Sequence, residues 1–136
     1  DECGICEGDG TWCNITSGCD LPVNHIYVTD EGDVLYNLDT DVTGFQFDVD
    51  GTTILNAFGG DTEVYGLSIQ FGSSTVVVYS ITADVIPAGC GTLLELDLTS
   101  TPDGLSNIIF VDGNSNEHFV NYTSLYSTTN RYKNQR

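Results

Sequence analysis

Five cysteines are the residues whose type and spacing most clearly predict covalent chemistry. Four crowd into the first nineteen positions and one stands far downstream: Cys3, Cys6, Cys13, Cys19 and Cys90. Clustered cysteines in a small domain either form disulfides or bind zinc. The spacing between Cys3 and Cys6 suits zinc, but the wider spacing between Cys13 and Cys19 suits it poorly. We therefore predict disulfides.

The number of cysteines is odd, so at least one is unpaired within the chain or bonded to another chain. We predict that Cys90 pairs with one N-terminal cysteine and holds the N-terminal arm on the domain. The sequence leaves open the alternative that the leftover thiol bonds to a neighbouring subunit.

Acidic side chains offer a second kind of chemistry, calcium binding. Several residues match the ligand positions of a calcium loop: Asp39, Asp41, Thr43, Gly44 and Asp50. Gln46 stands where such a loop needs an apolar residue, and the flanking residues alternate as in strands. We therefore predict no resident metal or other cofactor. Asp39 and Asp41 remain candidate calcium ligands, in a looser site of acidic turns that includes Asp30 and Asp33.

Catalysis finds little support in the sequence. Acids are so abundant that any pair suited to glycoside hydrolysis carries little information. His25 and His118, the only imidazoles, lie in predicted strands, where we expect structural roles. No nucleophile elbow, phosphate-binding loop or zinc-hydrolase motif occurs. We predict that the protein is not an enzyme.

The charge distribution is strongly uneven. The chain carries 20 acids against three bases, a formal net charge of −17, and the bases are Arg131, Lys133 and Arg136. This balance argues against nucleic acid and anionic membranes as partners, and no apolar run approaches the ~20 residues of a membrane span. The basic tail is either a solvated terminus or a segment lying on an acidic surface of its own or a neighbouring subunit.

Two glycosylation sequons begin at Asn14 and Asn121. Each pattern is common by chance. Together with the clustered cysteines, and with an Asp1 start and no Met, they favour a secreted glycoprotein that has lost a leader and carries N-linked glycans.

Short alternating runs separated by Gly, Asp, Asn and Ser fill the chain from position 24 onward, among them predicted strands over residues 65–71 and, as the last strand, 117–122. No stretch of useful length has helical period. The pattern predicts an all-β fold, a two-sheet sandwich or jelly roll of about nine strands. We divide the chain into a cysteine-rich, disulfide-rich arm (1–22), a β-sandwich domain (23–122) and an extended basic tail (123–136).

The first thirteen residues resemble the D-x-C-G-x-C-x-G-D-G-x-x-C cysteine repeats of extracellular modular proteins, although Trp12 replaces the usual small polar residue. The resemblance implies a stiff spacer pinned by disulfides.

A broader resemblance, covering Val42 to about Val120, is to cohesin-like domains of secreted proteins. The segments that carry it are Gly44-Phe45-Gln46-Phe47, Ile86-Pro87-Ala88-Gly89 and Leu96-Asp97-Leu98. It implies a jelly-roll sandwich that serves as a dockerin receptor, a surface-layer or scaffold module, or a spacer. Cys90 departs from the family pattern, which supports a disulfide peculiar to this chain.

The arm, the sandwich and the basic tail together predict a secreted structural subunit. Copies of the chain would assemble head to tail through the two extensions into an extracellular filament, appendage or surface layer. The alternative is a non-catalytic binding module for a protein or a carbohydrate. Sugar stacking would use Trp12 and tyrosines, although most tyrosines lie in predicted strands: Tyr27, Tyr36, Tyr65, Tyr79 and Tyr122.

Overall fold

The computed structural model describes residue 15 and residues 17–123. Several residues singled out from the sequence lie outside this part: Cys3, Cys6, Trp12, Cys13, Asn14, Arg131, Lys133 and Arg136. The described part contains ten strands, one short α-helix and an N-terminal 3-10 turn, Gly18–Asp20. The strands are β1 (His25–Val28), β2 (Asp33–Leu38), β3 (Val42–Asp50), β4 (Ile54–Phe58), β5 (Ser68–Phe71), β6 (Thr75–Tyr79), β7 (Gly89–Leu98), β8 (Gly104–Asp112), β9 (Glu117–His118) and β10 (Asn121–Tyr122).

The strands form two sheets of five. The front sheet has the order β10-β1-β2-β7-β4, and the back sheet has the order β5-β6-β3-β8-β9. All named strand pairs are antiparallel except β1 with β10, which is parallel. The predicted all-β, two-sheet sandwich is confirmed.

The strand count differs from the prediction at the end of the domain. We expected one strand over Glu117–Tyr122, but β9 pairs with β8 in the back sheet and β10 pairs with β1 in the front sheet. Between them Phe119 is largely exposed and Val120 is buried in the core. The chain crosses between sheets there, which alternation along one sequence segment cannot reveal.

The helix α1 (Gly60–Val64) separates β4 from β5. Gly59 and Gly60 both have positive φ, 74° and 63°, a backbone conformation that interrupts the strand and that glycine adopts without steric penalty. Glu63 accepts a hydrogen bond from the Gly59 N–H at 3.0 Å. The predicted strand over Tyr65–Phe71 therefore begins only at Ser68.

The core lies between the sheets and follows the two-residue period of the strands. On β3, Phe45, Phe47 and Val49 face inward and are almost fully buried. Phe45 stacks on Phe110 of β8 with ring centroids 5.1 Å apart. Burying side chains of this size contributes about 1.5–3 kcal/mol each, so this inner face anchors β3 and leaves its alternate residues to the outer face.

Candidate functional site

The outer face of the back sheet carries a row of exposed apolar side chains. Gln46 on β3 lies opposite Val77 on β6 and Ile109 on β8. Residues directly opposite each other in a sheet point to the same face. Val77 is 37% exposed and Ile109 is 39% exposed, although both lie on strands with neighbours on each side. The middle of this face is therefore apolar and open to solvent.

The next row contains a glycine between two apolar residues. Gly44 lies opposite Tyr79 on β6 and Val111 on β8. Tyr79 is 41% exposed. A Cβ at Gly44 would come within 2.7 Å of the Val78 carbonyl oxygen, so glycine is required there. We call Val77, Tyr79, Ile109 and Val111 the apolar half of the outer face. A shallow groove of about 260 Å³ runs along it.

The other end of the face is a hydrogen-bonded polar cluster that spans two rows. The Asp48 carboxylate accepts hydrogen bonds from Asn107 Nδ2 and from Thr75 Oγ1, both at 2.7 Å. Ser106 Oγ donates to Asp50 Oδ1 at 3.0 Å. The hydrogen bonds from Asn107 and Thr75 lower the pKa of Asp48 below its ordinary value of 3.8. We call these five residues the polar half.

A β-bulge builds this polar half. The β3–β8 register shifts between Gln46 and Asp48, and Asn107 takes a positive φ of 50° there. Asparagine tolerates this conformation better than most residues. The bulge brings the Asn107 amide to the Asp48 carboxylate.

The face has negative charge beside it and no positive charge of its own. Glu117 on β9 lies opposite Val111, and Asp48 belongs to the adjoining polar half. Within residues 17–123 there is no lysine or arginine. Every lysine and arginine of the sequence lies within residues 124–136.

The outer face of the front sheet is covered where β2 and β7 meet. Cys19 and Cys90 form a disulfide with their Cα atoms 5.0 Å apart, and Cys90 lies opposite Asn37. Asn37 Nδ2 donates a hydrogen bond to the Leu21 carbonyl at 2.8 Å. Leu21 is only 4% exposed although it lies outside the main core. The predicted pairing of Cys90 with an N-terminal cysteine is confirmed.

Local sequence explains the shape of this N-terminal cover. Ser17 Oγ accepts a hydrogen bond from the Cys19 N–H at 3.0 Å, and the Asp20 carboxylate accepts one from the Ser17 N–H at 3.2 Å. This capping box starts the 3-10 turn. Gly18 packs directly on the backbones of Tyr36 and Gly91, where a Cβ would overlap with main-chain atoms. A side chain at position 18 would lift the cover off the sheet.

The calcium candidates do not assemble as proposed from the sequence. Asp30 lies in the turn before β2 and Asp33 is the first residue of β2, whereas Asp39 and Asp41 follow its last residue. The length of the strand, about 17 Å, separates the two pairs. From Val42 onward the residues that match the calcium loop form strand β3, in keeping with their alternating pattern. No group of three His, Cys, Asp or Glu side chains suited to a metal occurs within the described residues.

Asp39 and Asp41 instead contact neighbouring loops. Asp41 Oδ1 accepts a hydrogen bond from the Ala88 N–H at 2.8 Å, and Asp39 Oδ1 lies 3.4 Å from His118 Nε2. This places both carboxylates in contacts that hold the β2–β3 connection.

Both histidines bind to structural partners. His25 Nδ1 lies 2.9 Å from the buried Thr123 Oγ1, and burial lowers the pKa of His25. His118 Nε2 lies 2.9 Å from Asn24 Oδ1. The pairs link the segment around β9 and β10 to the start of β1.

The tyrosines divide between packing and exposure. Tyr36 is buried and donates a hydrogen bond to Asp61 Oδ2 at 2.6 Å. Tyr122 stacks on Tyr27 with centroids 6.0 Å apart, and burial raises the pKa of Tyr122 to about 12. Tyr65 and Tyr79 are each 41% exposed. Carbohydrate binding stays a prediction.

Asn121, the sequon residue within the described part, lies exposed on β10. Its backbone N–H donates to the Asn24 carbonyl at 2.9 Å. The side chain is thus on the surface while the backbone is held in the sheet, and glycosylation at Asn121 stays a prediction.

No helix of the described part is long and apolar enough to cross a membrane. The disulfide between Cys19 and Cys90 indicates an oxidising environment, as found outside the cell or at its surface.

Comparison with known proteins gives a fold likeness. No protein-family model matches the sequence, and no curated protein matches it. A chain from the crystal structure of a complex at pH 5.5 between CaCohA2 and an arginine-to-aspartate variant of CaDoc0917 is similar, with a TM-score of 0.51 and 14% identity. The match covers 74% of this chain and 94% of that chain. At this identity the likeness shows the fold alone, and that fold is a cohesin-like β-sandwich.

Proposed function

We propose that the protein is a non-catalytic module that binds a partner protein on the outer face of its back sheet. The observation that carries the proposal is the apolar half, where Val77, Tyr79 and Ile109 are each more than one-third exposed in the interior of the sheet. Contiguous exposed apolar surface bordered by polar groups marks interaction sites in soluble proteins.

The arrangement of the face supports a protein partner. Protein interfaces combine an apolar centre with a polar, hydrated rim. Here the apolar half adjoins the hydrogen-bonded cluster around Asp48, and Glu117 lies beside Val111. The groove at Gly44 can accept a side chain of the partner between Tyr79 and Val111. The similar solved structure is itself a complex of two proteins.

A structural role for both histidines supports the absence of catalysis. His25 and His118 make hydrogen bonds that join the last strands to β1, and neither lines the groove. The disulfide supports secretion, with the glycans expected at Asn14 and Asn121. Export of the protein with its disulfide intact is the outcome that we expect when extracellular fractions are analysed without reduction.

The binding proposal is tested by adding charge to the apolar half. The full chain, the double variant Val77→Asp/Ile109→Asp and the control Leu55→Asp are immobilised and exposed to extracellular proteins of the source organism. Leu55 is a matched control because it is 60% exposed but lies on β4 of the front sheet. Retained proteins are identified, purified and titrated against all three chains.

We expect a partner that binds the wild-type chain and the Leu55→Asp chain equally. The same partner should bind the double variant at least 100-fold more weakly, because burying an unpaired carboxylate in the interface costs binding free energy. Equal binding by all three chains, or no partner that depends on the face, would refute the proposal. Unchanged circular dichroism of the double variant checks that its fold is intact.

A further inference from the structure

We propose that the apolar half binds residues 124–136 of a second copy of the chain, so that copies join head to tail. This inference rests on the proposed function, because it names the partner of the same face. The sequence predicts a structural subunit that assembles head to tail, and the apolar half would be the surface that each copy offers to the next.

Charge complementarity is the first argument. Arg131, Lys133 and Arg136 are all of the lysines and arginines in the chain. The described residues carry only acids among these charged types, and Glu117 and Asp48 flank the apolar half. A segment with three cations placed on this face lowers the repulsion within an acidic body and gains attraction to both carboxylates.

The second argument is that the same segment carries apolar groups. Leu125, Tyr126 and Tyr132 accompany the cations in the last thirteen residues. An aromatic or leucine side chain suits the groove that Gly44 leaves between Tyr79 and Val111. Thirteen extended residues reach about 43 Å, whereas a five-stranded sheet is about 20–24 Å wide. The segment is therefore long enough to cross the whole face.

The point where the segment leaves the sandwich favours a second copy. Strand β10 runs parallel to β1, so the chain at Thr123 heads towards the end of the sandwich where β1 finishes at Val28. Gly104, the first residue of β8, lies at this same end, because a Cβ built on it would be 3.2 Å from the Tyr122 ring.

The apolar half lies towards the opposite end of the other sheet. Gly104 pairs with Asp50, whereas Gly44 and Val111 pair at the far end of β3 and β8. Residues 124–136 of the same copy would have to turn back around the sandwich and reverse direction. A neighbouring copy receives them without this reversal, and repetition of such a heterologous contact gives a ring or an open filament.

Complementation between two defective chains tests the inference. The acceptor-defective chain is Val77→Asn/Ile109→Asn, which removes apolar surface without adding a carboxylate that would attract the cations. The donor-defective chain is Arg131→Glu/Lys133→Glu/Arg136→Glu. Full-length wild-type chain should form concentration-dependent oligomers in sedimentation velocity, and each defective chain alone should remain monomeric. Their mixture should form dimers and nothing larger, because it contains one intact donor and one intact acceptor per pair. Leu55→Asn, the matched control on the front sheet, should assemble as the wild type does.

Raising the salt concentration from about 0.05 to 0.5 M should weaken wild-type association at least tenfold, because screening reduces the charge attraction. A monomeric wild-type chain, or a mixture that forms no dimers, overturns the inference. If another protein still binds in a manner that depends on Val77 and Ile109, the proposed function stands without it. If no protein does, both proposals fail.

Discussion

The two outer faces of the sandwich differ in whether another segment of the chain covers them. On the front sheet, the N-terminal segment lies over β2 and β7, held by the disulfide from Cys19 to Cys90 and by the hydrogen bond from Asn37. On the back sheet, Val77, Tyr79 and Ile109 remain open to solvent. Among the described residues, the chain covers part of one outer face with its own N-terminal segment and leaves apolar side chains of the other exposed.

The difference lies in whether another segment of the chain packs on the outer face. Leu21 is buried although it is not part of the main core, because its own segment packs back on the sheet. The apolar half has no such cover among the described residues. The following changes test whether the covered face serves stability and the exposed face serves the proposed binding.

Removal of the covalent link should have the largest effect. The variant Cys19→Ser/Cys90→Ser opens a connection between residues 71 positions apart. We expect the free energy of unfolding to fall by about 2–4 kcal/mol, chiefly because the unfolded chain gains conformational freedom. Chemical denaturation measures this loss. Partner binding on the back sheet should stay unchanged, and a simultaneous loss of binding would show that the two faces are coupled.

Truncation of the cover should have the next largest effect. Leu21→Ala removes a side chain that is 4% exposed, and we expect a loss of about 2 kcal/mol in the free energy of unfolding. Val23→Ala is the matched control, because Val23 is 55% exposed in the same segment. Equal losses for both variants would contradict the view that Leu21 is part of a packed cover.

The polar half should give a smaller, pH-dependent effect. The pKa of Asp48 is lowered in the folded chain, so its contribution to stability is present above pH 3.8 and is lost as the pH falls through the lowered value. Thr75→Val removes one of the two hydrogen bonds and should move the pKa of Asp48 back towards 3.8. Carboxyl NMR titration measures this shift. Thr101→Val, at an exposed threonine outside the cluster, should leave the pKa unchanged.

Change at the open face should have the smallest effect on stability. We expect Tyr79→Ala to alter the free energy of unfolding by less than about 0.5–1 kcal/mol, because the ring is 41% exposed. The same variant should weaken partner binding at least tenfold. A stability loss as large as that of Leu21→Ala would mean that Tyr79 packs the sheet and is not available for binding.

Much of the fold was predictable because strand alternation is a local property. Phe45, Phe47 and Val49 alternate with polar residues, and all three are buried as the pattern requires. The last strand was placed wrongly, since the division of Glu117–Tyr122 between two sheets depends on partners distant in sequence. The pairing of Cys90 with the N-terminal cysteines was predicted, but the choice of Cys19 depended on the turn that Ser17 and Asp20 form against β2 and β7.

The candidate site was missed because its members are far apart in sequence. Gly44 was singled out only as part of a calcium loop or a fold motif, and its position between Tyr79 and Val111 arises from strand order. By itself the sequence determined the all-β class, the acidic body and the location of every cation in the last six residues, since these follow from composition and two-residue periodicity. The tertiary structure alone decided which face is covered and which is open, because that depends on register and sheet order, which bring distant residues into contact.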